Sequence, residues 1–422
     1  MTQARHRGPS QQTGRPAPRA RLISGRLALA LMSSFGALTS FYLLLSVTPM
    51  YALSAGAGSA VAGVVTGSLM LATVAAEFAS ARLMRRYGYR AVFAAGALLL
   101  GGPALALLGP HSLVMIVAVS IARGLGFGLN TVVIGALIAT ALPPGRRGEG
   151  LGLAGVVACV PAIVALPSGV WLAENAGYAV VIVITAVSAL APLAAAPWLT
   201  GPAGHPAADP GAAQPAGLLT TLRSGGQRRP ALVFAAATVS AGVVAAFLPL
   251  AAGVSGGTAA LGLFVQAVAS TAGRWWAGRH GDRHGHARLL VPGLLMAAAG
   301  MGVLIWVAAP AALVTGMCLF GIGFGISQNA TFALMIDRAP ASGYGTASAL
   351  WNLAYDAGYG AGPAVFGVFV VYTGYPVAFA LTGMLMVAAL VPARRDRAAQ
   401  APAGAGQVRG DVETAVAAPS YC

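Results

Sequence analysis

The sequence predicts an all-α membrane protein of twelve transmembrane helices, arranged as two six-helix halves of similar sequence. Three observations predict this fold: an apolar composition, an internal repeat, and an alternation of arginine-rich and arginine-free connections. Of the 422 residues, 57% are hydrophobic and 8% are charged. A soluble protein has about 25% charged residues, so most of this chain is expected to face lipid or other helices.

The internal repeat relates the second half of the chain to the first at a constant offset of 197 residues, without insertions. The run Gly-Leu-Gly-Phe-Gly at 124–128 returns as Gly-Ile-Gly-Phe-Gly at 321–325, and the dipeptide Gly-Tyr at 177–178 returns at 374–375. Repeats in an apolar chain are typical of secondary transporters, in which the two repeats move around a site at their interface. The repeat therefore indicates a transporter.

Each copy contains six stretches of the length that a transmembrane helix needs, roughly 20 apolar residues. In the first copy these predicted spans cover residues 27–53, 58–81, 91–109, 112–141, 150–173 and 177–199. In the second copy they cover residues 230–252, 257–277, 288–308, 311–336, 344–371 and 375–393.

The spans divide the chain into five segments. We expect a cytoplasmic tail (1–26), an N-terminal six-helix half (27–199), a cytoplasmic linker (200–229), a C-terminal six-helix half (230–393) and a disordered cytoplasmic tail (394–422). The linker is rich in Pro, Gly and Ala, a composition that breaks regular structure. The connections are mostly too short to form a separate soluble domain.

The arginines predict the orientation of the chain. All 25 basic residues are arginine, and nearly all of them fall in the tails, the linker and every second connection. The connections at 53–58, 109–112, 252–257, 308–311 and 371–375 contain none. Cytoplasmic connections carry the excess of basic residues, so we expect both termini in the cytoplasm and a multi-pass protein of the cell membrane. Charge spread over one side of a membrane also argues against nucleic-acid binding, despite the net charge of +15.

Other function classes find no support in the residue pattern. Cys159 and Cys318 fall inside predicted spans and Cys422 ends the chain, which suggests neither a disulfide framework nor a metal site. The spacing of nucleophiles and bases predicts no catalytic group, and the glycine runs lack the ending of a nucleotide-binding loop. We therefore expect no enzyme, no metal and no cofactor, and a monomer that contacts the lipid bilayer, a small-molecule substrate and protons.

Two motifs resemble those of a known family. The connection between spans eight and nine, from Gly278 to Gly285, reads GRHGDRHG. It resembles the G-x-x-x-D-R-x-G loop motif of the major facilitator superfamily, and Arg123 with the glycine run after it resembles the family's span-four motif. The resemblance covers residues 27–393 and implies a twelve-span permease of efflux type for drugs or metabolites.

The resemblance implies a cytoplasmic gate at the two loops that carry the motif. The gate residues that it implies are Gly278, Asp282, Arg283 and Gly285 in the second copy and Arg86 and Gly88 in the first. The first copy departs from the motif, because Ala81 and Arg85 replace its glycine and its acid. The alternative interpretation is that these loop charges only set the topology.

Ionisable residues inside predicted spans are candidates for proton coupling, because a charge at mid-membrane costs at least about 2.5–3.5 kcal/mol on insertion scales. Three stand out: Asp356, Glu77 and Arg123. Asp356 would carry the coupling proton or bind a cationic substrate. Glu77 would be a second proton site or the partner of Arg123, which stays charged and can hold an acid or an anion. Each also has a structural interpretation, as part of a buried pair that only holds helices together.

Further polar and aromatic side chains are candidates for the substrate cavity. These candidates are Asn130, Gln328, Asn329, Asn352, Tyr355 and Trp351. Asn352 and Asp356 lie four residues apart and so share one helix face. Asn130 and Gln328 fall near the same depth of the two copies, as a site at the repeat interface requires. Interhelical hydrogen bonding and core packing are the alternatives.

The predicted function is secondary active export of a small organic molecule, driven by proton influx. In drug/proton antiporters of the family, span five usually carries a Gly-x-x-x-Gly-Pro pattern. Here span five contains Cys159-Val160-Pro161, and a closer match lies in span eleven at 358–363. This departure keeps open a second function, a proton-coupled importer or a uniporter of a sugar or an organic acid. For an anionic substrate the sequence would single out Arg123 as the ligand.

Overall fold

The computed structural model describes residues 24–109, 112–141, 147–198, 220–251, 253–340 and 343–399, and within them the regular structure is helical. The first half contains α1 (Gly25–Ser54), α2 (Ser59–Gly101), α3 (Leu113–Ala141), α4 (Arg147–Asn175) and α5 (Tyr178–Leu190). The second half contains α6 (Gly225–Phe247), α7 (Gly256–His284), α8 (Ala287–Val303), α9 (Pro310–Asp337), α10 (Tyr344–Ala388) and α11 (Leu390–Ala399). The all-α fold that the sequence predicts is confirmed.

Short 3₁₀ segments continue several helices, at Pro103–Leu108, Ala191–Trp198, Leu248–Leu250 and Leu304–Trp306. By length and composition, eight of the described helices could cross a membrane. Because α2 and α10 each contain two predicted spans, these eight account for ten of the twelve. Span six corresponds to a shorter apolar helix, and span eight to α7, which is not among the eight. The predicted count of twelve is therefore supported in part.

The turns of the backbone follow the internal repeat. Among the described residues, six glycines have a positive φ, and they form three pairs at the offset of the repeat: Gly56 with Gly253, Gly88 with Gly285, and Gly177 with Gly374. Gly88 (φ 81°) and Gly374 (φ 72°) break α2 and α10 at the boundaries between their two predicted spans. A side chain is strained in this conformation, so both copies keep glycine at the same turns.

The glycine runs allow close helix packing in both halves. A Cβ atom on Gly124 or Gly128 of α3 would meet the backbone carbonyl oxygen of Leu69 or Thr73 in α2. In the second copy, Gly321 and Gly325 of α9 lie in the same way against Gln266 and Ser270 of α7. These α7 residues are the repeat partners of Leu69 and Thr73. Small residues therefore allow these helices to approach closely in both halves.

The two halves contact each other closely near the helix ends that lie away from the arginine-rich connections. The Ser46 hydroxyl of α1 donates to the Ala245 carbonyl of α6 at 2.5 Å. A Cβ on Gly63 of α2 would meet the Pro363 carbonyl oxygen of α10, and one on Gly256 of α7 would meet the Glu174 carboxylate of α4. These contacts close one side of the interface between the halves.

The segment boundaries differ from the prediction at the linker and at the C-terminal tail. Helix α6 begins at Gly225, inside the predicted linker, and α11 continues to Ala399, inside the predicted disordered tail. Asp396 is 1% exposed and forms two 2.8 Å hydrogen bonds with the Arg338 guanidinium. Composition alone suggested a disordered tail, but this buried ion pair anchors the helix. Residues 1–23 and 400–422 of the predicted tails, and linker residues 200–219, lie outside the described residues.

Candidate substrate cavity

A cavity of about 360 Å³ lies between the two halves. Its walls come from α1, α2, α3 and α4 of the first half and from α6, α7, α9 and α10 of the second. By the repeat these are the same four spans of each copy: the first, second, fourth and fifth. The volume is within the range of small-molecule sites, and the position matches a site at the repeat interface.

Two carboxyl groups from opposite halves meet in this cavity. Glu77 of α2 and Asp356 of α10 both line it, and their carboxyl groups interact with each other. An ionised carboxylate only accepts hydrogen bonds, whereas a protonated one can donate. A direct hydrogen bond between the two groups therefore requires a proton on one of them. The sequence identified both residues as candidates but did not pair them.

Arg274 of α7 lines the cavity together with the two acidic side chains, and it is not among the candidates that the sequence predicted. Its Nη2 atom donates to the Gln328 Oε1 atom, and its Nη1 atom lies 3.9 Å from the Cys159 sulfur. Its Nε atom is buried without an acceptor. The residue lies inside predicted span eight and is the repeat partner of Glu77. The rule that selected Glu77, an ionisable side chain within a span, could have found it.

Aromatic side chains form much of the remaining wall. Phe41 of α1 stacks on Phe127 of α3 with ring centroids 3.9 Å apart. On the other side, Trp351, Tyr355 and Tyr359 follow one another along α10, with 6.2 Å and 5.5 Å between successive centroids. These rings suit a substrate that has an apolar or flat part.

Four of the six predicted cavity residues line the cavity: Gln328, Asn352, Tyr355 and Trp351. Trp351 also donates from Nε1 to the Thr331 hydroxyl at 3.2 Å, which fixes the indole ring in the wall. Whether these four bind substrate stays a prediction.

The prediction places Asn130 and Asn329 wrongly, because neither lines the cavity. Asn130 is 1% exposed and its amide, oriented to satisfy both groups, bonds the Phe93 carbonyl and the Ala97 amide of α2 at 3.2 Å each. Asn329 faces Gly278 of α7, and its Oδ1 atom is buried. Both amides therefore lie between helices of one half, the alternative that the sequence had left open.

Arg123 also lies outside the cavity, contrary to its predicted role beside the proton site. It is 1% exposed, and its Nη1 and Nη2 atoms donate to the carbonyls of Leu100 (2.7 Å) and Ser40 (2.9 Å). Leu100 lies in the last turn of α2, where carbonyls lack helical partners. Arg123 therefore caps α2 and ties it to α1. Within the described residues, its predicted pairing with Glu77 does not form.

The loop residues of the predicted gate lie away from the cavity. Asp282 is 76% exposed, and its carboxylate lies 3.7 Å from His286 of the same half. Arg283 and Arg86 are exposed. Gly278 packs inside the second half, whereas Gly285 and Gly88 provide the positive φ of the two turns. In the part of the chain that the structure describes, no ion pair joins these loops across the two halves.

Comparisons with known proteins agree with this architecture. The model of the major facilitator superfamily matches residues 30–363 and 231–412. A solved D-xylose–proton symporter is 17% identical with a TM-score of 0.70, covering 87% of this chain and 97% of that one. The xylose transporter XylE from E. coli, in a partially occluded inward-open conformation, is 16% identical with a TM-score of 0.67 and the same coverage.

The nucleoside transporter NupG is 13% identical with a TM-score of 0.67, covering 89% of this chain and all of that one. No curated protein sequence matches the chain. At these identities the solved structures show the fold alone, whereas the family model spans both halves. This chain, with its two repeated halves around a central cavity, belongs to the major facilitator superfamily of membrane transporters.

Proposed function

We propose that the chain is a proton-coupled secondary transporter that moves a small organic molecule by alternating access, with Glu77 and Asp356 as a shared proton site. One observation carries this proposal: two carboxyl groups, one from each half, are in contact inside the cavity between the halves. The halves are the parts that move in alternating access, so a proton between them is placed to control that movement.

The chemistry of the pair explains how a proton would control the halves. With one proton, the two carboxyl groups attract each other through a hydrogen bond. Without it, two like charges about 4 Å apart repel by about 4 kcal/mol at an effective dielectric constant of 20. Loss of the proton therefore separates α2 from α10 near the cavity, and its return brings them together.

The direction of transport depends on how the substrate affects this pair. Export in exchange for protons is the direction that the resemblance to efflux-type permeases favours, and it follows if the substrate competes with the proton for the carboxyl groups. The alternative is uptake with a proton, and the presence of Arg274 in the cavity favours it. A negative substrate beside Arg274 binds best when the carboxyl pair is protonated, so substrate and proton then move together.

The remaining features of the proposal come from the sequence. The distribution of arginines favours the plasma membrane with both termini in the cytoplasm. The exposed positions of Asp282, Arg283 and Arg86 leave them able to meet in another conformation, which supports the gate that the family resemblance implies. We expect the monomer to be the functional unit.

The experiment that tests the proposal uses membrane vesicles in which the pH gradient can be reversed. Uptake of ethidium, a fluorescent cation, and of carboxyfluorescein, a fluorescent anion, is compared at each sign of the gradient. The Glu77→Gln and Asp356→Asn variants should each lose the dependence on the gradient. Asp337→Asn is the matched control, because this exposed carboxylate at the end of α9 lies outside the cavity. If the two cavity variants transport either dye with the wild-type dependence on the gradient, the proton site lies elsewhere.

A further inference from the structure

The guanidinium of Arg274 has donors that the protein does not use. A guanidinium presents five N–H donors, and in the described residues its acceptors are the Gln328 amide oxygen and the weak sulfur acceptor of Cys159. The Nε atom is shielded from solvent and has no partner. A buried donor left unsatisfied costs about 1–3 kcal/mol, and more when it is charged. The side chain as a whole is half-buried, so an acceptor that enters the cavity can pair with the Nη donors that Gln328 and Cys159 leave open.

The carboxyl groups of the cavity do not serve as that acceptor. Glu77 and Asp356 interact with each other, and within the described residues neither forms an ion pair with Arg274. The phenol groups that Arg274 influences electrostatically belong to Tyr42 and Tyr355. The cavity therefore has two separate poles, a carboxyl pair and an arginine, with aromatic side chains between them.

The position of Arg274 suits substrate binding at the interface of the halves. Gln328 of α9 fixes the guanidinium from its own half, and Cys159 of α4 brings the other half next to it. An anion bound here would lie against the guanidinium and beside α4, so both halves would contact it. Arginine binds carboxylates and phosphates with paired hydrogen bonds, which neither a neutral hydroxyl nor a cation can replace.

We propose that Arg274, oriented by Gln328, is the binding site for an acidic group of the substrate, and that the transported molecule is an organic acid whose apolar part lies on the aromatic wall. This inference rests on the proposed transport function and names its substrate class. It makes cotransport with a proton the expected mode, because the positive charge of one proton on the carboxyl pair offsets the negative charge that the anion brings to Arg274, so that the net charge of the cavity does not change.

A first experiment measures the charge preference at Cys159, whose sulfur reports on Arg274. When Cys318→Ser and Cys422→Ser are combined, Cys159 is the one cysteine that remains of the three in the chain. The purified protein is treated with two methanethiosulfonate reagents, one carrying a sulfonate and one a trimethylammonium group. The rate constant for the reaction of each reagent with Cys159 is divided by the rate constant for its reaction with a small thiol in free solution. The sulfonate reagent should react faster than the cation. Arg274→Gln should lower the ratio of the two rates by roughly tenfold or more, because it removes a unit charge about 4 Å from the sulfur.

Arg279→Gln provides the control for this measurement, because Arg279 follows on the same helix but stacks on the exposed Trp275 ring, outside the cavity. It should leave the ratio unchanged. A faster reaction of the cationic reagent, with no effect of Arg274→Gln, would show that the carboxyl pair dominates the cavity and would overturn the proposal.

A second experiment measures binding at equilibrium, with no gradient and no need for transport. Alkylation of Cys159 by N-ethylmaleimide is followed in the presence of 3-phenylpropionate or of its uncharged amide. The acid should protect Cys159 at concentrations at least about tenfold lower than the amide, the size of effect that one charged hydrogen bond gives. Arg274→Gln should remove this difference. Equal protection by the two compounds, or none by the acid, overturns the assignment.

The two proposals can fail separately. If the acid binds through Arg274 but transport ignores the pH gradient, the substrate class stands and proton coupling falls. If transport depends on the gradient while the acid and the amide bind alike, the carboxyl pair stands and the role of Arg274 falls.

Discussion

Replacing Arg123 should destabilise the protein and leave proton coupling unchanged. The guanidinium joins two helices through charged hydrogen bonds to the Leu100 and Ser40 carbonyls. Hydrogen bonds of this kind contribute about 1.5–3 kcal/mol each, so the pair contributes about 3–6 kcal/mol. Glutamine at this position cannot reach both carbonyls and leaves at least one of them buried and unpaired.

A loss of this size is large against the total stability of a folded domain, about 5–15 kcal/mol. In detergent, Arg123→Gln should lower the Tm by about 5 °C or more. Arg123→Lys should recover only part of the loss, because a single ammonium group lacks the planar fork that serves two acceptors. Arg279→Gln removes an exposed arginine and should leave the Tm unchanged.

The assay pairs thermal unfolding of the purified variants with vesicle transport at several pH values, corrected for the amount of folded protein. The expected result is a lower Tm with an unchanged pH profile of transport. An Arg123→Gln protein with a wild-type Tm and a shifted pH profile would refute the structural role and restore the coupling role that the sequence suggested.

Two further predictions concern packing and the C-terminal helix. Gly128→Val should strongly reduce the yield of folded protein, because the valine side chain would meet the Thr73 carbonyl. Gly135→Val, on the open face of the same helix, should leave the yield unchanged. Size-exclusion profiles in detergent measure the yield of both variants. Asp396→Asn should break the ion pair with Arg338 and release α11, so that trypsin cleaves at Arg394 and Arg395 faster than in the wild type. An unchanged cleavage rate would mean that apolar contacts alone hold α11.

The parts of the fold that depend on local sequence could be predicted, and the repeat made them more certain. The helix breaks at Gly88 and Gly374 coincide with predicted span boundaries. Both residues have a positive φ, a conformation that favours glycine in any protein, so a glycine between two apolar spans is a local signal of such a break. The glycine runs at 124–128 and 321–325 are visible in the sequence as well, and small residues favour a close helix contact without identifying the partner helix. These features can be predicted without knowing how the two halves contact each other.

The site depends on contacts that the sequence does not encode locally. Glu77 and Asp356 could each be identified as carboxyl groups inside predicted spans, but their pairing depends on how the halves dock. For Arg123, the cost of a buried charge predicts only that a partner must exist, and two backbone carbonyls serve as well as an acid. Asn130 shows the same ambiguity, since a buried amide can line a cavity or join two helices.

The distance between the halves as a function of pH tests the central claim most directly. Spin labels at positions 87 and 344 report on exposed residues of α2, just before its break at Gly88, and of α10, at its start, in a background without the native cysteines. The shared-proton account predicts that the distance distribution changes between acidic and alkaline buffer in the wild type. It predicts no change when Glu77→Gln and Asp356→Asn are combined. A wild-type distance that ignores pH, or the same change in the combined variant, would contradict the claim that a proton between these two carboxyl groups controls the halves.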